Sequence, residues 1–335
     1  MWLLALLHHH KPHRKGQDLT KPLVLVDVPL LPFLERQIDA FCTICPWLNS
    51  ETPSELLSKI EGIYTYGHPK ISAELMDRLP SLKVISNFGV GVDHIDLQAA
   101  AERGIRVGNT PGVIDGATAD MTMALLLAAA RNVVVGDQFA RSPAFTHYDP
   151  GFLLGAEVFG STLGIIGMGR VGQQVARRAR AFDMVVIYHN RHRNPEAESR
   201  LGVKYSSLNE LLSQSHFVVL NLPLTRETTR LIGSSELRQM RPDAILVNIA
   251  RGPVVDHDAL HQALTEKWIA GAALDVTDPE PLPRDHPLLA LTNVVFTPHL
   301  GSATVGTRIR MGEMTAANLA AGLQGIPLPD EVNSR

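Results

Sequence analysis

An α/β protein made of two doubly wound parallel sheets is the fold class that the sequence predicts, on three observations. Short apolar, β-branched runs alternate with helical patterns from Leu23 onward, the signature of parallel strands covered by helices. The alternation breaks once, at a long Ala/Leu/Met stretch between Gly116 and Arg141, and resumes at Thr162. The length of 335 residues leaves room for two cores at about 150 residues per domain.

The first series predicts strands at Leu23 to Val28, Phe41 to Ile44, Gly62 to Tyr64, Lys83 to Ser86 and Ile105 to Gly108. The stretch that follows reads as one helix over at least Ala117 to Arg131, with Thr118 or Asp120 near its start, a natural crossover between domains. The second series predicts six strands, near Leu163 to Ile166, Val185 to Tyr188, Phe217 to Asn221, Ala244 to Asn248, Ala270 to Leu274 and Val294 to Thr297. Six strands with intervening helices fit a dinucleotide-binding sheet. A last helical stretch, Ala303 to Leu323, returns to the first domain. The expected organisation is a discontinuous domain of residues 21–115 and 302–335, a continuous domain of residues 116–301, and a cleft between them.

Composition narrows the function classes. Hydrophobic residues make up 45% and charged residues 19% of the chain, which excludes disorder for most of it. A net charge of −3 gives no basic surface for a nucleic-acid backbone. Two cysteines exclude a disulfide scaffold and point to a reducing compartment. Met1 to Leu7 is too short for a secretory apolar region, so residues 1–20 read as a loose N-terminal extension. No later run reaches the roughly 18 apolar residues of a membrane helix. The expectation is a soluble, cytoplasmic protein with neither membrane nor nucleic-acid partner.

Gly167-Met168-Gly169-Arg170-Val171-Gly172 lies directly after the strand Leu163 to Ile166 and before the helical Gln173-Gln174-Val175-Ala176. Glycines there allow a tight turn and bring backbone N–H groups against a pyrophosphate at the positive end of the next helix. An NAD site usually adds a carboxylate about 20 residues on, for the adenosine ribose. The second strand instead ends Tyr188-His189-Asn190-Arg191-His192-Arg193, with no carboxylate. Asn190 and the cations Arg191 and Arg193 predict a forked partner for a 2′-phosphate, hence NADPH in preference to NADH, with NAD also usable.

Three further segments each follow a predicted strand: Asn248-Ile249-Ala250-Arg251-Gly252, Asp278-Pro279-Glu280-Pro281 and Thr297-Pro298-His299-Leu300-Gly301. They should emerge together at the carboxyl edge of the sheet, where ligands bind. Arg251 can grip a carboxylate and polarise the adjacent carbonyl. His299 can donate a proton while hydride reaches the carbonyl carbon, and Glu280 would hold the imidazole and favour its charged form. Reduction would then be favoured at lower pH and oxidation at higher pH. Singly, each residue reads better as structural; jointly, at three consecutive strand ends, they point to catalysis.

At these residues, and at Asn87 to Asp96, Asn109 to Val113, Ala117 to Asp120 and Leu222 to Thr225, the chain resembles the D-isomer-specific 2-hydroxyacid dehydrogenases, within them the glyoxylate/hydroxypyruvate reductases. The resemblance spans about residues 22–325. It implies a flavodoxin-like substrate domain and a Rossmann cofactor domain, and reduction of glyoxylate, hydroxypyruvate or a similar 2-keto acid such as 2-ketogluconate to the D-2-hydroxy acid. It assigns catalysis to Arg251, Glu280 and His299, and substrate-carboxylate binding to the N–H groups of Val90 and Gly91. Asp275 is similar to the residue that meets the nicotinamide amide; Thr118, Leu222, Pro223, Thr228, Ile249, Ala250, His299 and Gly301 complete the implied cofactor contacts. A homodimer built around Ala117 to Gly160 is also implied, although burial within one chain explains those apolar residues equally well.

The architecture is shared by dinucleotide-sensing corepressors and by formate dehydrogenases. An intact Arg251, Glu280 and His299 argues for turnover over sensing, and the Glu280–His299 pair manages a proton that formate oxidation does not need. Tyr66, at a strand end, could line the substrate pocket or pack in the core. Cys42-Thr43-Ile44-Cys45 has the spacing of a dithiol or half a zinc site, but its apolar flanks read as a strand. His8, His9, His10 and His13 read as a solvated tail, so no metal site is expected.

Overall fold

The computed structural model describes residues 21–49 and 52–332, so the expectations for residues 1–20 and their histidines lie outside the described residues. The described residues divide into two compact units, one within 21–111 and 311–332 and the other 112–310.

The first unit carries β1 (Leu23–Val26), α1 (Pro32–Ile38), β2 (Thr43–Pro46), α2 (Ser54–Leu57), β3 (Ile60–Thr65), α3 (Ala73–Asp77), β4 (Val84–Asn87), α4 (Leu97–Glu102) and β5 (Arg106–Gly108). All pairings are parallel, in the order β2-β1-β3-β4-β5, the flavodoxin-like arrangement. Leu25, Ile63, Ile85 and Val107 bury one face of this sheet in a common core. The last helix of the chain, from Met311 onward, covers the other face. There Ser86 Oγ donates to the Thr315 carbonyl at 2.7 Å, and Asn318 Nδ2 donates to the Asn109 carbonyl at 3.0 Å. Glycine at 108 is required by this approach, because a Cβ would sit 2.7 Å from Asn318 Cγ.

The second unit contains α5 (Asp115–Ala130), α6 (Val133–Ala140), β6 (Thr162–Ile166), α7 (Arg170–Ala179), β7 (Val185–His189), α8 (Pro195–Leu201), β8 (Lys204–Tyr205), α9 (Leu208–Gln214), β9 (Phe217–Leu220), α10 (Ser234–Gln239), β10 (Ile245–Asn248), α11 (His257–Thr265), β11 (Gly271–Leu274), β12 (Val294–Phe296) and the first residues of α12 (Val305–Leu323). Its sheet is parallel throughout, in the order β12-β11-β10-β9-β6-β7-β8. The six-strand expectation is corrected to seven: β8 has two residues and pairs only with β7, too short to leave a period in the sequence.

The core explains why these strands read as unbroken apolar runs. Ile165, Val219 and Val247 belong to one cluster and Ile166, Val218 and Leu246 to another, so successive residues alternate between two buried faces. Helix α5 supplies Met123, Leu125 and Leu126 to the first cluster. It ends where Asn132 takes a left-handed conformation, φ 52°, and turns the chain into α6.

Tyr64, the last residue of the third predicted strand, is fully buried in the first unit. The cysteines are buried too. Cys42 Sγ donates to the Ile38 carbonyl at 3.3 Å, and burial pushes its thiol up to about 12, which keeps the reactive thiolate unpopulated.

Candidate active site

In the first unit the loop after β4 is shaped by one buried amide. Asn87 Nδ2 donates to the carbonyls of Gly89 and Gly91, each at 2.9 Å, while its Oδ1 accepts the Thr65 hydroxyl at 2.6 Å. Asn109 Nδ2 adds a bond to the Val90 carbonyl at 2.8 Å. With the carbonyls held inward, the backbone N–H groups of Val90 and Gly91 have no protein acceptor among the described residues. Such a concave run of donors suits a carboxylate. Tyr66 packs edge-on against Phe88 at 4.9 Å, and Asp27 accepts the N–H groups of Tyr66 and Gly67. Asp27 carries no motif signal, and Asn87 opens a segment of the family resemblance without showing its positioning role; only the folded loop shows what they hold.

In the second unit the glycine loop joins β6 to α7 at the point where the strand order reverses, between β6 and β9. Gly167 has φ +104°, and a Cβ there would lie 2.3 Å from the Asn221 carbonyl oxygen. At Gly172 a Cβ would lie 2.1 Å from the Gly167 carbonyl, whereas at Gly169 it would enter open space. Gly169 caps α7 without a side chain, which leaves the first N–H groups of the helix, from Arg170 and Val171, directed at that space. Asn190 Oδ1 ties the end of β7 to this loop by accepting the Met168 N–H at 2.6 Å. Arg170 also lies 3.6 Å from Asp115.

The loop after β9 borders the same space. Thr228 Oγ1 donates to the Pro223 carbonyl at 2.8 Å and accepts the Thr225 N–H at 2.7 Å, which fixes Leu222 to Thr228 as one turn. Asn221, absent from the sequence-level candidates, has a buried side-chain amide whose Oδ1 and Nδ2 find no partner among the described residues. A buried amide with no protein partner is what a polar ligand or water would satisfy. The open cradle at Gly169 and the orphaned Asn221 amide together fit a dinucleotide.

The two cations expected to offer a forked partner after β7 differ in their surroundings. Arg193 is paired through one guanidinium edge, Nε and Nη2, with both carboxylate oxygens of Glu198 of α8, at 2.7 and 2.6 Å. A carboxylate therefore does stand at this strand end, delivered from the following helix. Arg191 makes no ion pair among the described residues, although its charge lowers the pKa of the Glu227 carboxyl.

The three catalytic candidates lie at the ends of β10, β11 and β12. Asn248 shapes the first turn: its Nδ2 donates to the Arg251 carbonyl at 2.9 Å and its Oδ1 accepts the Ala250 N–H at 3.0 Å. Gly252 lets that turn press on the next segment, since a Cβ would be 1.9 Å from the Thr277 carbonyl oxygen. Glu280 Oε1 then meets His299 Nδ1 at 2.7 Å, and its Oε2 accepts the Thr277 N–H at 3.3 Å. Burial alone would raise the Glu280 pKa, but the His299 hydrogen bond and charge, the Thr277 N–H and the Arg251 charge outweigh it, so the carboxyl is held below its ordinary range. Glu280 thus interacts electrostatically with both His299 and Arg251.

His299 has φ +57°, in the left-handed region that residues with a side chain rarely occupy. Asp275, 2% exposed, holds it there. The Asp275 carboxylate accepts the N–H groups of Leu300 and Gly301 at 2.7 and 2.8 Å and the Thr297 hydroxyl at 2.6 Å. Around Gly301, a Cβ would meet Asp275 Oδ2, Ile249 Cδ1 and Thr118 Cγ2 at 3.3 to 3.6 Å, so four of the implied cofactor contacts share one point.

The model of the D-isomer specific 2-hydroxyacid dehydrogenase NAD binding domain matches residues 123–301. A glyoxylate reductase of Aeropyrum pernix is 45% identical over 324 residues, covering 94% of this chain and 97% of its own. One of Korarchaeum cryptofilum is 50% identical over 293 residues, covering 86% and 88%. Among solved structures, an NADPH-dependent glyoxylate/hydroxypyruvate reductase from Sinorhizobium meliloti, in complex with NADP and malonate, matches with a TM-score of 0.85 at 31% identity, over 93% of this chain and 97% of that one. With its Rossmann sheet and these relatives over nearly its whole length, the chain belongs to the D-isomer specific 2-hydroxyacid dehydrogenases, a family of oxidoreductases.

Proposed function

We propose that the chain is a cytoplasmic NADPH-dependent reductase of small 2-keto acids, with glyoxylate and hydroxypyruvate as its substrates and 2-ketogluconate as a larger one, forming the D-2-hydroxy acid. The observation that carries this reading is the Glu280–His299 pair at 2.7 Å under the charge of Arg251. The names of the relatives support the substrate class.

A bound dinucleotide supplies the hydride. The chain's own residues do the rest. Gly167, Gly169, Arg170, Val171 and Gly172 hold the pyrophosphate through backbone N–H groups, with Leu222, Pro223 and Thr228 beside them. Thr118, Ile249, Ala250, Asp275 and Gly301 line the nicotinamide end. Asn190, Arg191 and Arg193 take the 2′-phosphate, with Arg191 carrying most of the attraction because Arg193 is already matched by Glu198. In the second unit Arg251 takes the substrate carboxylate; in the first, the N–H groups of Val90 and Gly91 and the Tyr66 side chain are the substrate contacts. His299, its Nδ1 on Glu280, gives a proton from Nε2 to the oxygen that was the keto group.

The test is a panel of 2-keto acids assayed with both cofactors. The highest kcat/KM should fall on glyoxylate or hydroxypyruvate with NADPH, and Arg191→Ala should lose most of the cofactor preference. Equal kcat/KM with NADH and NADPH in the unaltered protein would remove the 2′-phosphate assignment.

A homodimer is also proposed. Helix α5 spends Met123, Leu125 and Leu126 on its own core, so it is the following segment that offers a surface. Val133, Phe145, Tyr148, Phe152, Leu154 and Phe159 are exposed there, Tyr148 at 82% and Leu154 at 78%. That much apolar exposure in one stretch marks an association surface. Light scattering should give twice the mass of the 36.6 kDa chain; a monomer at micromolar concentration would refute this.

No single helix among the described residues is long and apolar enough to cross a membrane.

A further inference from the structure

Glu198 stands where the strand-end sequence showed no acid. Besides its two bonds to Arg193, its Oε1 accepts the Tyr188 hydroxyl at 2.7 Å, and that hydroxyl accepts the Asn194 N–H at 2.7 Å. The network closes the loop 190–194 onto α8. Its carboxylate is largely shielded, with 16% of the side chain exposed. The Arg193 and Tyr188 hydrogen bonds bring its pKa down to about 2, so it is ionised at every working pH.

The two guanidinium groups after β7 are therefore unequal. Arg193 retains donors on Nη1, but its charge is neutralised by a fixed neighbour, whereas Arg191 has no ion pair among the described residues. A dianionic phosphate brought to this loop meets a carboxylate as well as two cations. An adenosine end with free 2′- and 3′-hydroxyls brings no charge and is far less affected.

Resting on the reading of this loop as the 2′-phosphate site, we propose that Glu198 is a specificity-determining positioning residue: by holding and offsetting Arg193 it limits the preference for the phosphorylated dinucleotide and keeps the unphosphorylated one usable. Glutamine at 198 matches the size of glutamate and can still accept the Tyr188 hydroxyl, so it removes the charge while keeping the loop closed.

The experiment measures dissociation constants of adenosine 2′,5′-bisphosphate and of AMP by calorimetry, in the full chain without substrate. In Glu198→Gln the ratio favouring the 2′-phosphorylated probe should rise roughly three- to tenfold at low salt, and the gain should shrink at high salt, as expected for removing one nearby like charge. Glu198→Asp, which keeps the charge, should leave the ratio near that of the unaltered protein. AMP binding serves as the control for an intact loop. An unchanged or lower ratio in Glu198→Gln overturns the inference. The 2′-phosphate reading fails separately, if the unaltered protein binds both probes equally, because the Glu198 effect is read as a change between variants.

Discussion

Replacing His299 with alanine is expected to lower kcat by about a thousandfold, the usual contribution of a positioned general acid, while the affinity for NADPH stays roughly unchanged. The split follows from geometry. His299 reaches its neighbours through Glu280 and sits on a turn whose backbone is held by Asp275, so the glycine loop does not depend on the imidazole. Turnover and cofactor binding measured on the same preparation check this, and an unaltered kcat would refute the proton-donor role.

The pH dependence has a definite sign. Glu280 is held below the ordinary carboxylate range by its interactions with His299, Thr277 and Arg251, against the opposing effect of burial. A carboxyl with a lowered folded-state pKa contributes stability above its unfolded value and loses it as pH falls through the folded one. The Glu280–His299 pair should therefore hold through neutral pH and weaken only in acid. Glu280→Gln leaves no carboxyl to titrate at this position, so the acid limb of the pH profile for reduction should change. A profile identical to that of the unaltered protein would show that Glu280 does not act on the proton donor.

The legible part of the fold is the part with a local signal. Strands buried on both faces leave continuous apolar runs, and β6, β7, β9, β10, β11 and β12 lie within a residue of the segments read from the sequence. The Gly167 to Gly172 loop was legible because its turn excludes side chains at Gly167 and Gly172. What escaped depends on contacts that the chain makes only when folded. β8 draws its identity from two ladder partners in β7. Glu198 lies five residues beyond Arg193, outside the strand end, and returns to it because α8 folds back toward β7. Asn87 looks like one more polar residue at a strand end until its amide is seen gathering the carbonyls of Gly89 and Gly91. Asn221 carries no motif, and its orphaned amide becomes informative only once its burial is known.

Arg251→Gln should be the other severe loss, and of a different kind. Glutamine can replace one hydrogen bond of a guanidinium but neither the fork nor the charge, and a carboxylate left without its cation in a partly desolvated site costs on the order of 4 kcal/mol, about a thousandfold in kcat/KM. The deficit should appear chiefly in KM for the 2-keto acid if Arg251 only holds the carboxylate, and in kcat as well if it polarises the adjacent carbonyl in the transition state. The geometry favours both. Asn248 and Gly252 fix the backbone on either side of Arg251, and its charge reaches the same carboxylate that holds His299. A rigidly placed cation of this kind strengthens its hold as the keto oxygen gains negative charge. Arg251→Lys separates the contributions: it keeps the charge, so it should recover part of the loss in KM, but it lacks the planar fork, so kcat should stay depressed. Full recovery by lysine would leave charge alone as the role of Arg251.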